Sequence, residues 1–157
     1  MSSSRPLLDD GARAVLKQPV SIIFGSVDEL NTPDATRASG AAVLDDRRLR
    51  VLIAADCTAR LNARPGTQVS VLVTDVTTYQ SVQWKGRVLH GPVPRTAGDI
   101  ALSHEYLTRF RAGLVANGLS PEQIGRLCSL DTVAIEVEVE EQFDQTPGRD
   151  AGRKVAG

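Results

Sequence analysis

The chain has 157 residues, a formal net charge of −1 and 41% hydrophobic residues, which suits one globular domain with a real core. The basic residues are scattered, so we expect no binding of nucleic acid or of an anionic membrane surface. No apolar stretch approaches the roughly 20 residues of a membrane helix, and the N-terminus MSSSRPLLDDGAR has no apolar signal segment. Cys57 and Cys128 form no CxxC pair, so we expect reduced thiols and a cytoplasmic location.

The first part of the chain predicts an arm followed by hairpin-linked strands. Residues 1–17 are expected to form an N-terminal arm with a short helix over about 12–17. In PVSIIFGSVD, Val20, Ile22 and Phe24 share one face at a period of two, which predicts a strand. A loop is expected at 31–34. The next two runs, RASGAAVL and LRVLIAAD, flank a polar connection that is typical of a hairpin.

Two further strands are predicted in the middle of the chain. TQVSVLVTD alternates clearly, with its valines on one side. In SVQWKGRVL we place Trp84 on the core side together with Val82 and Val88. Gly86 in mid-strand indicates a bulge, a bend or a close backbone approach.

Helices and a final strand follow. Thr96 and Asp99 have capping-box spacing at the start of a helix that ends at 117–118, and Ser120-Pro121 begins a second helix. The apolar stripe predicted for the first helix consists of Ile100, Leu107, Phe110 and Leu114. TVAIEVEVEEQF predicts a strand whose glutamates form a solvated face. The tail, residues 146–157, is expected to be irregular, so that residues 18–145 form the domain.

About six short strands, mostly linked by hairpins, imply an antiparallel sheet. Strands that each have one apolar face close most economically into a small barrel. The predicted fold class is therefore mainly β (α+β), with a six-stranded antiparallel barrel and flanking helices.

The start of a short helix after the third strand is a candidate phosphate site. Free N–H groups at Thr58 and the guanidinium of Arg60 would both favour an anion. The alternative is a capped surface helix with a solvated arginine.

Two strands carry further candidates. Gln83 and Lys85 share a strand face with Arg87, which suits a ligand that needs hydrogen bonds and a positive charge, but also suits an ordinary solvent face. Arg37 opens a run of small residues that would let a flat ligand or another strand approach closely. Neither His90 nor His104 has metal-ligand spacing, and no nucleophile elbow, P-loop or GxGxxG is present. No metal site is predicted, and no catalytic residue can be named.

Residues from about 18 to 148 resemble the pyridoxamine 5'-phosphate oxidase-like, FMN-binding split-barrel family. The similarity lies in the order of PVSIIFGSVDE, TRASGAAVLDDRRLRVLI, CTARLNARPGTQVSVLVTD and TTYQSVQWKG, and in the ending EQFDQTPGRDAG. The resemblance implies a split barrel, with Arg37, Thr58 and Arg60 at the flavin phosphate, Gln83 at the ring edge and Lys85 nearby. The family's Ser-Arg-Lys stretch is here Thr58-Ala59-Arg60, which does not favour pyridoxamine phosphate oxidase activity itself.

The resemblance also implies a homodimeric flavin-dependent oxidoreductase that acts on an unknown small molecule. FMN is the expected cofactor, and a deazaflavin (F420), heme or no cofactor are the alternatives. The alternative function is a flavin- or heme-binding or sensing module without turnover, or a dimeric scaffold of the same fold.

Overall fold

A computed structural model describes residues 6–157, which form one antiparallel β-structure with helices at its side and ends. The strands are β1 (Val20–Val27), β2 (Pro33–Val43), β3 (Arg48–Ala54), β4 (Gln68–Asp75), β5 (Ser81–Pro94), β6 (Thr132–Asp144) and β7 (Arg153–Ala156). The helices are α1 (Asp10–Leu16), α2 (Thr58–Asn62), α3 (Ala97–Ala116) and α4 (Pro121–Ile124).

Strands β1 to β6 close into a barrel. They are hydrogen-bonded in the order β3-β2-β1-β4-β5-β6, and β3 also pairs with β6 to complete the ring. Strand β6 is long enough to pair with β3 along its first half and with β5 along most of its length. Every pairing in the described chain is antiparallel. The predicted fold class, a six-stranded antiparallel split β-barrel with flanking helices, is confirmed.

The barrel interior is filled by the apolar residues that alternate along the strands. Strand β1 alternates strictly between buried and half-buried positions, as the period of two predicts. Trp84 is 1% exposed and its Nε1–H donates to Gln142 Oε1 at 3.2 Å, so its predicted core position is confirmed. Gly86 is also confirmed as a close approach, because a Cβ built on it would lie 1.9 Å from the carbonyl oxygen of Glu138.

Helix α3 packs on the outer face of β2 and β1 and begins with the predicted Thr96–Asp99 capping box. The predicted stripe is wrong at Ile100, which is 42% exposed. The buried residues of this helix are Asp99, Ser103, Tyr106, Leu107, Phe110 and Gly113. Because each residue turns the helix by about 100°, Ile100 lies at the edge of that face.

Three expectations about chain segments need correction. Strand β2 starts at Pro33, inside the predicted loop. Part of the predicted N-terminal arm, residues 1–5, lies outside the described residues, but Leu7 and Leu8 are 3% and 1% exposed and belong to the core. The tail is not irregular throughout, because β7 pairs with β6.

Candidate functional site

A row of five side chains crosses the outer face of the sheet. The pairing places Arg37 opposite Ile23, Ile23 opposite Leu72, Leu72 opposite Gln83, and Gln83 opposite Phe143. All five side chains are half-buried. At about 4.8 Å per strand, the row from Arg37 to Gln83 spans roughly 14 Å. The middle of this row is aliphatic, and its far end carries an amide and an aromatic ring.

An open groove of about 670 Å³ lies beside this row. On β1, β4 and β5 its residues are two positions along the strand from those of the row. Its floor includes Gly25 and Ser70, which are opposite each other in the register, and Ser70 is in turn opposite Lys85. The floor is tight, since a Cβ on Gly25 would lie 2.6 Å from Ser70 Oγ. The acidic residues on the groove lining are Asp34, Glu140 and Glu141.

Lys85 is the basic residue of the groove lining. Its Nζ lies over the Phe143 ring, 4.5 Å from the centroid, which is a cation–π contact. The neighbouring carboxylate of Glu141 instead accepts from Lys154 Nζ at 2.8 Å. That hydrogen bond lowers the pKa of Glu141. Within the described residues Lys85 makes no ion pair, although it faces Glu141 across the β5–β6 register and its charge also lowers the pKa of that carboxylate.

Gln83 is oriented by a second amide. Its Oε1 accepts from Gln145 Nε2 at 2.9 Å. The NH₂ group of Gln83 therefore keeps both of its donors for another partner. The structure thus brings Gln83, Lys85 and Phe143 together at one edge of the groove. Sequence reasoning missed Phe143, whose only signal was its position in the EQFDQ segment.

Helix α2 follows β3, as predicted from the sequence. Its N-cap residue, Cys57, makes no capping hydrogen bond through its side chain. The helix is anchored by the buried Asn62, whose Nδ2 donates to Ser26 Oγ at 3.2 Å. Thr58 and Arg60 are exposed, and among residues 6–157 their side chains have no hydrogen-bond or ion-pair partner. They remain open to solvent and to a ligand.

Arg37 contacts β1 and α3. Its Nη1 donates to Ser21 Oγ at 2.8 Å, and its guanidinium carbon lies 5.7 Å from the centroid of the Phe110 ring. Part of its hydrogen-bonding capacity is therefore used inside the protein. A role at a phosphate remains a prediction for this residue.

Under the start of α3 lies a charge network that sequence reasoning missed. Arg50 donates to both carboxylate oxygens of Asp99, at 2.7 and 2.6 Å, and to Glu136 at 3.0 Å. Glu136 was expected on a solvated face, but it is half-buried and paired. Hydrogen bonds from Arg50 lower the pKa of Asp99 to about 2. The capping spacing pointed to Asp99, but nothing in the local sequence connected it to Arg50.

No family model matches the chain and no curated protein matches it, but several solved structures are similar. One is a pyridoxamine 5'-phosphate oxidase-related, FMN binding protein from Nostoc punctiforme, with 11% identity, 92% and 86% coverage of this chain and of that chain, and a TM-score of 0.52. A second is an F420 reductase, with 20% identity, 83% coverage of this chain, 94% coverage of that chain and a TM-score of 0.51. A third is HutZ, the heme storage protein from Vibrio cholerae, with 16% identity, 87% coverage of this chain, 94% coverage of that chain and a TM-score of 0.50.

These similarities place the chain among the split-barrel proteins by fold. The resemblance to the pyridoxamine 5'-phosphate oxidase-like family is thus confirmed at the level of the fold. In the described part of the chain, no helix is both long and apolar enough to cross a membrane. The same residues contain no cluster of His, Cys, Asp and Glu suited to a metal ion.

Proposed function

We propose that this protein binds FMN on the outer face of β1, β4, β5 and β6 and acts as a flavin-dependent oxidoreductase on a small molecule. The observation that carries the proposal is the edge formed by Gln83, Lys85 and Phe143 beside the groove. It combines free amide donors, an unpaired ammonium and an aromatic ring. The groove volume, about 670 Å³, is within the roughly 300–1,000 Å³ of small-molecule sites.

The residues present fit a flat heterocycle. Gly25 and Ser70 give the groove a floor of small side chains, which lets a ring lie close to the backbone. Gln83 can donate to the polar edge of such a ring, and Lys85 can stabilise negative charge on it. Ile23 and Leu72 supply an aliphatic surface next to it.

The phosphate is better placed at α2 than in the groove. The groove lining carries Glu140 and Glu141, and these carboxylates disfavour a second anion. Thr58 and Arg60 have no competing partner in the described chain, and a guanidinium can hold a phosphate through two hydrogen bonds. We therefore assign the phosphate contact to Arg60 and the backbone at Thr58.

Bound flavin would supply the hydride and electron transfer. The protein's own part is then to anchor the phosphate, orient the ring and control access to it. F420 is the first alternative cofactor, since one similar structure is an F420 reductase. Heme binding without turnover is the alternative function, because another similar structure is a heme storage protein.

The first experiment identifies the cofactor and tests turnover. Mass spectrometry of ligand released from the denatured protein should give FMN, and NAD(P)H should bleach a flavin spectrum that returns in air. Retention of flavin without reduction would favour the non-catalytic alternative. Release of heme or F420 would replace FMN, and failure to bind any of the three would leave a scaffold.

The second experiment tests the residue assignments with FMN and riboflavin, which differ by the phosphate. Arg60→Ala should weaken FMN binding about tenfold to a hundredfold, because hydrogen bonds to charged groups contribute roughly 1.5–3 kcal/mol, and should leave riboflavin binding unchanged. Gln83→Ala should weaken both ligands equally. Arg47→Ala, on the exposed β2–β3 connection, is the control. Equal effects of Arg60→Ala on both ligands would remove the phosphate assignment.

We also propose that the protein is a homodimer that pairs through this outer face. On β4, β5 and β6 this face is half-buried or exposed in the single chain, whereas α3 packs on β2 and β1. A two-fold dimer is the commonest symmetric assembly. Light scattering at micromolar concentration should give twice the chain mass of 16.8 kDa, and a clean monomer would contradict the proposal.

A further inference from the structure

Gln145 lies immediately after β6 and on the same face of the sheet as Gln83. Phe143 is opposite Gln83 in the β5–β6 register, and Gln145 follows Phe143 by two residues, which returns its side chain to that face. The two amides meet directly, because Gln145 Nε2 donates to Gln83 Oε1 at 2.9 Å. Both side chains are half-buried. Gln145 is therefore a neighbour of the candidate ligand edge and not a member of the barrel core.

The backbone that carries Gln145 is held by hydrogen bonds to the start of β5. Gln145 N–H donates to the carbonyl oxygen of Ser81 at 3.0 Å, and Ser81 N–H donates to Thr146 Oγ1 at 3.1 Å. The carboxylate of Asp144 accepts from Thr146 N–H at 2.9 Å, which closes a turn of the Asx type. Gln145 thus approaches Gln83 from a turn that is fixed on both sides.

The direction of the bond between the two amides decides what Gln83 offers to a ligand. A glutamine amide has an accepting oxygen at one end and two N–H donors at the other. Because Gln145 donates to the oxygen of Gln83, the NH₂ group is the end that is left for a ligand. In the described chain Gln83 Nε2 has no hydrogen-bond partner, and it remains in contact with solvent. Lys85, two residues along β5, also has only donors.

Without Gln145 the amide of Gln83 would be free to turn over. Rotation about its last bond exchanges oxygen and nitrogen with little change in shape, so that the same residue would present either a donor or an acceptor. A ligand that needs a donor would then find only part of the molecules in the competent orientation and would bind more weakly. A fixed amide removes that loss. It also disfavours a ligand with a donor at this position, because two N–H groups would face each other.

We propose that Gln145 is a positioning residue that sets the hydrogen-bonding direction of the ligand site. It holds Gln83 as a donor, and the site thereby selects a ligand edge made of acceptors, such as the carbonyl oxygens and imine nitrogen of an oxidised flavin ring. This role rests on the proposed flavin site, and it adds the residue that decides which end of the Gln83 amide meets the ring. Gln145 acts through Gln83 alone.

Two substitutions at Gln145 separate positioning from structural support. Gln145→Met removes the amide at similar length and releases Gln83. Gln145→Glu reverses the bond, because a carboxylate accepts from Gln83 Nε2 and leaves Gln83 Oε1 for the ligand. Riboflavin is the probe, since it is neutral and lacks the phosphate. Its Kd should rise by no more than about fivefold in Gln145→Met and by about tenfold to a hundredfold in Gln145→Glu.

Melting temperatures measured without ligand should have the opposite order. Gln145→Glu keeps a hydrogen bond to Gln83 that Gln145→Met loses, so Gln145→Glu should be the more stable variant. A purely structural role would give the same order for stability and for binding, and that result would overturn the proposal. Gln80→Glu places the same charge on the exposed β4–β5 connection and should leave the Kd unchanged. A rise in Kd equal to that of Gln145→Glu would assign the effect to charge and would also overturn it.

A double-mutant cycle shows whether Gln145 acts through Gln83. In a Gln83→Met background, Gln145→Glu should no longer weaken riboflavin binding, because no amide remains to be turned. Equal effects of Gln145→Glu in the two backgrounds would overturn the positioning role and leave flavin binding by the wild type intact. If the wild type itself binds no riboflavin, the proposed function is wrong, and the role of Gln145 is wrong with it.

Discussion

The two halves of the outer barrel surface use charged residues in opposite ways. Under α3, Arg50 is satisfied by Asp99 and Glu136. On the side of β4 to β6, Lys85 lies over an aromatic ring and faces Glu141 across the register, but among the described residues it forms no ion pair. The covered half uses its charges to attach a helix, and the open half keeps charge available. The contrast concerns the outer charges alone: those of the covered half attach a helix, and Lys85 on the open half is proposed to serve a ligand. The following predictions test both halves.

The largest effect is expected in the barrel core beneath the open half. Helix α3 packs on β2 and β1 and not on this half. Interior packing therefore matters most here, and Trp84→Ala should lower the free energy of unfolding by about 3–5 kcal/mol. Urea unfolding measures the loss. Trp84→Phe keeps most of the volume and should cost less. An unchanged midpoint for Trp84→Ala would mean that the open half is not supported by its core.

The next effect tests the covered half. Arg50→Met should cost about 3 kcal/mol, since removal of one partner leaves the buried carboxylate of Asp99 uncompensated. The matched control is Arg48→Met on the same strand, because Arg48 pairs with Asp45 on the exposed surface and should be nearly neutral in urea unfolding. Equal losses in the two variants would contradict the distinction between the covered network and a surface pair.

The pH dependence follows from the same network. The pKa of Asp99 is about 2 in the folded protein, against 3.8 for the ordinary group. The stabilisation is therefore complete above about pH 5 and is lost as pH falls towards 2, an effect of about 2 kcal/mol. Asp99→Asn keeps a capping side chain, so the difference between wild type and this variant across pH 2–6 isolates the carboxylate. Parallel stability curves would contradict the prediction.

The smallest effect is expected on the open half. Phe143→Leu removes the ring beneath Lys85, and an exposed cation–π contact contributes about 0.5–1 kcal/mol. A double-mutant cycle with Lys85→Gln isolates that contact in urea unfolding. The same Phe143→Leu variant should weaken flavin binding by more than it weakens folding. If Phe143→Leu lowers the free energy of unfolding by more than it lowers the free energy of flavin binding, the ring serves mainly stability, and the proposed role of the open half would be contradicted.

Much of the barrel follows from local patterns. A period of two along β1 and β4 places side chains inside or outside regardless of which strands become neighbours. The starts of α3 and α4 were predictable for the same reason, because the side chains of Thr96 and Ser120 accept hydrogen bonds from backbone N–H groups only three residues further along the chain.

What could not be predicted depends on pairing between distant segments. The contact of Arg50 with Asp99 spans 49 residues, and no local pattern records it. Strand β7 comes from a Gly-rich, Arg-rich tail and exists because β6 extends past the barrel to pair with it. At the candidate site, Gln83 and Lys85 were recognisable as one strand face, but Phe143 was not, because it joins them only through the β5–β6 register.

Gly86 has a consequence for how this protein can be studied by mutation. It lies next to Lys85 on the groove, yet its own Cα is pressed against the β6 backbone. In a saturation library of the groove, almost every change at position 86 would score as loss of ligand binding because the strands no longer meet. A map of tolerated substitutions would therefore mark Gly86 as the most sensitive groove position, although the glycine contributes shape to the barrel and no chemistry to the ligand.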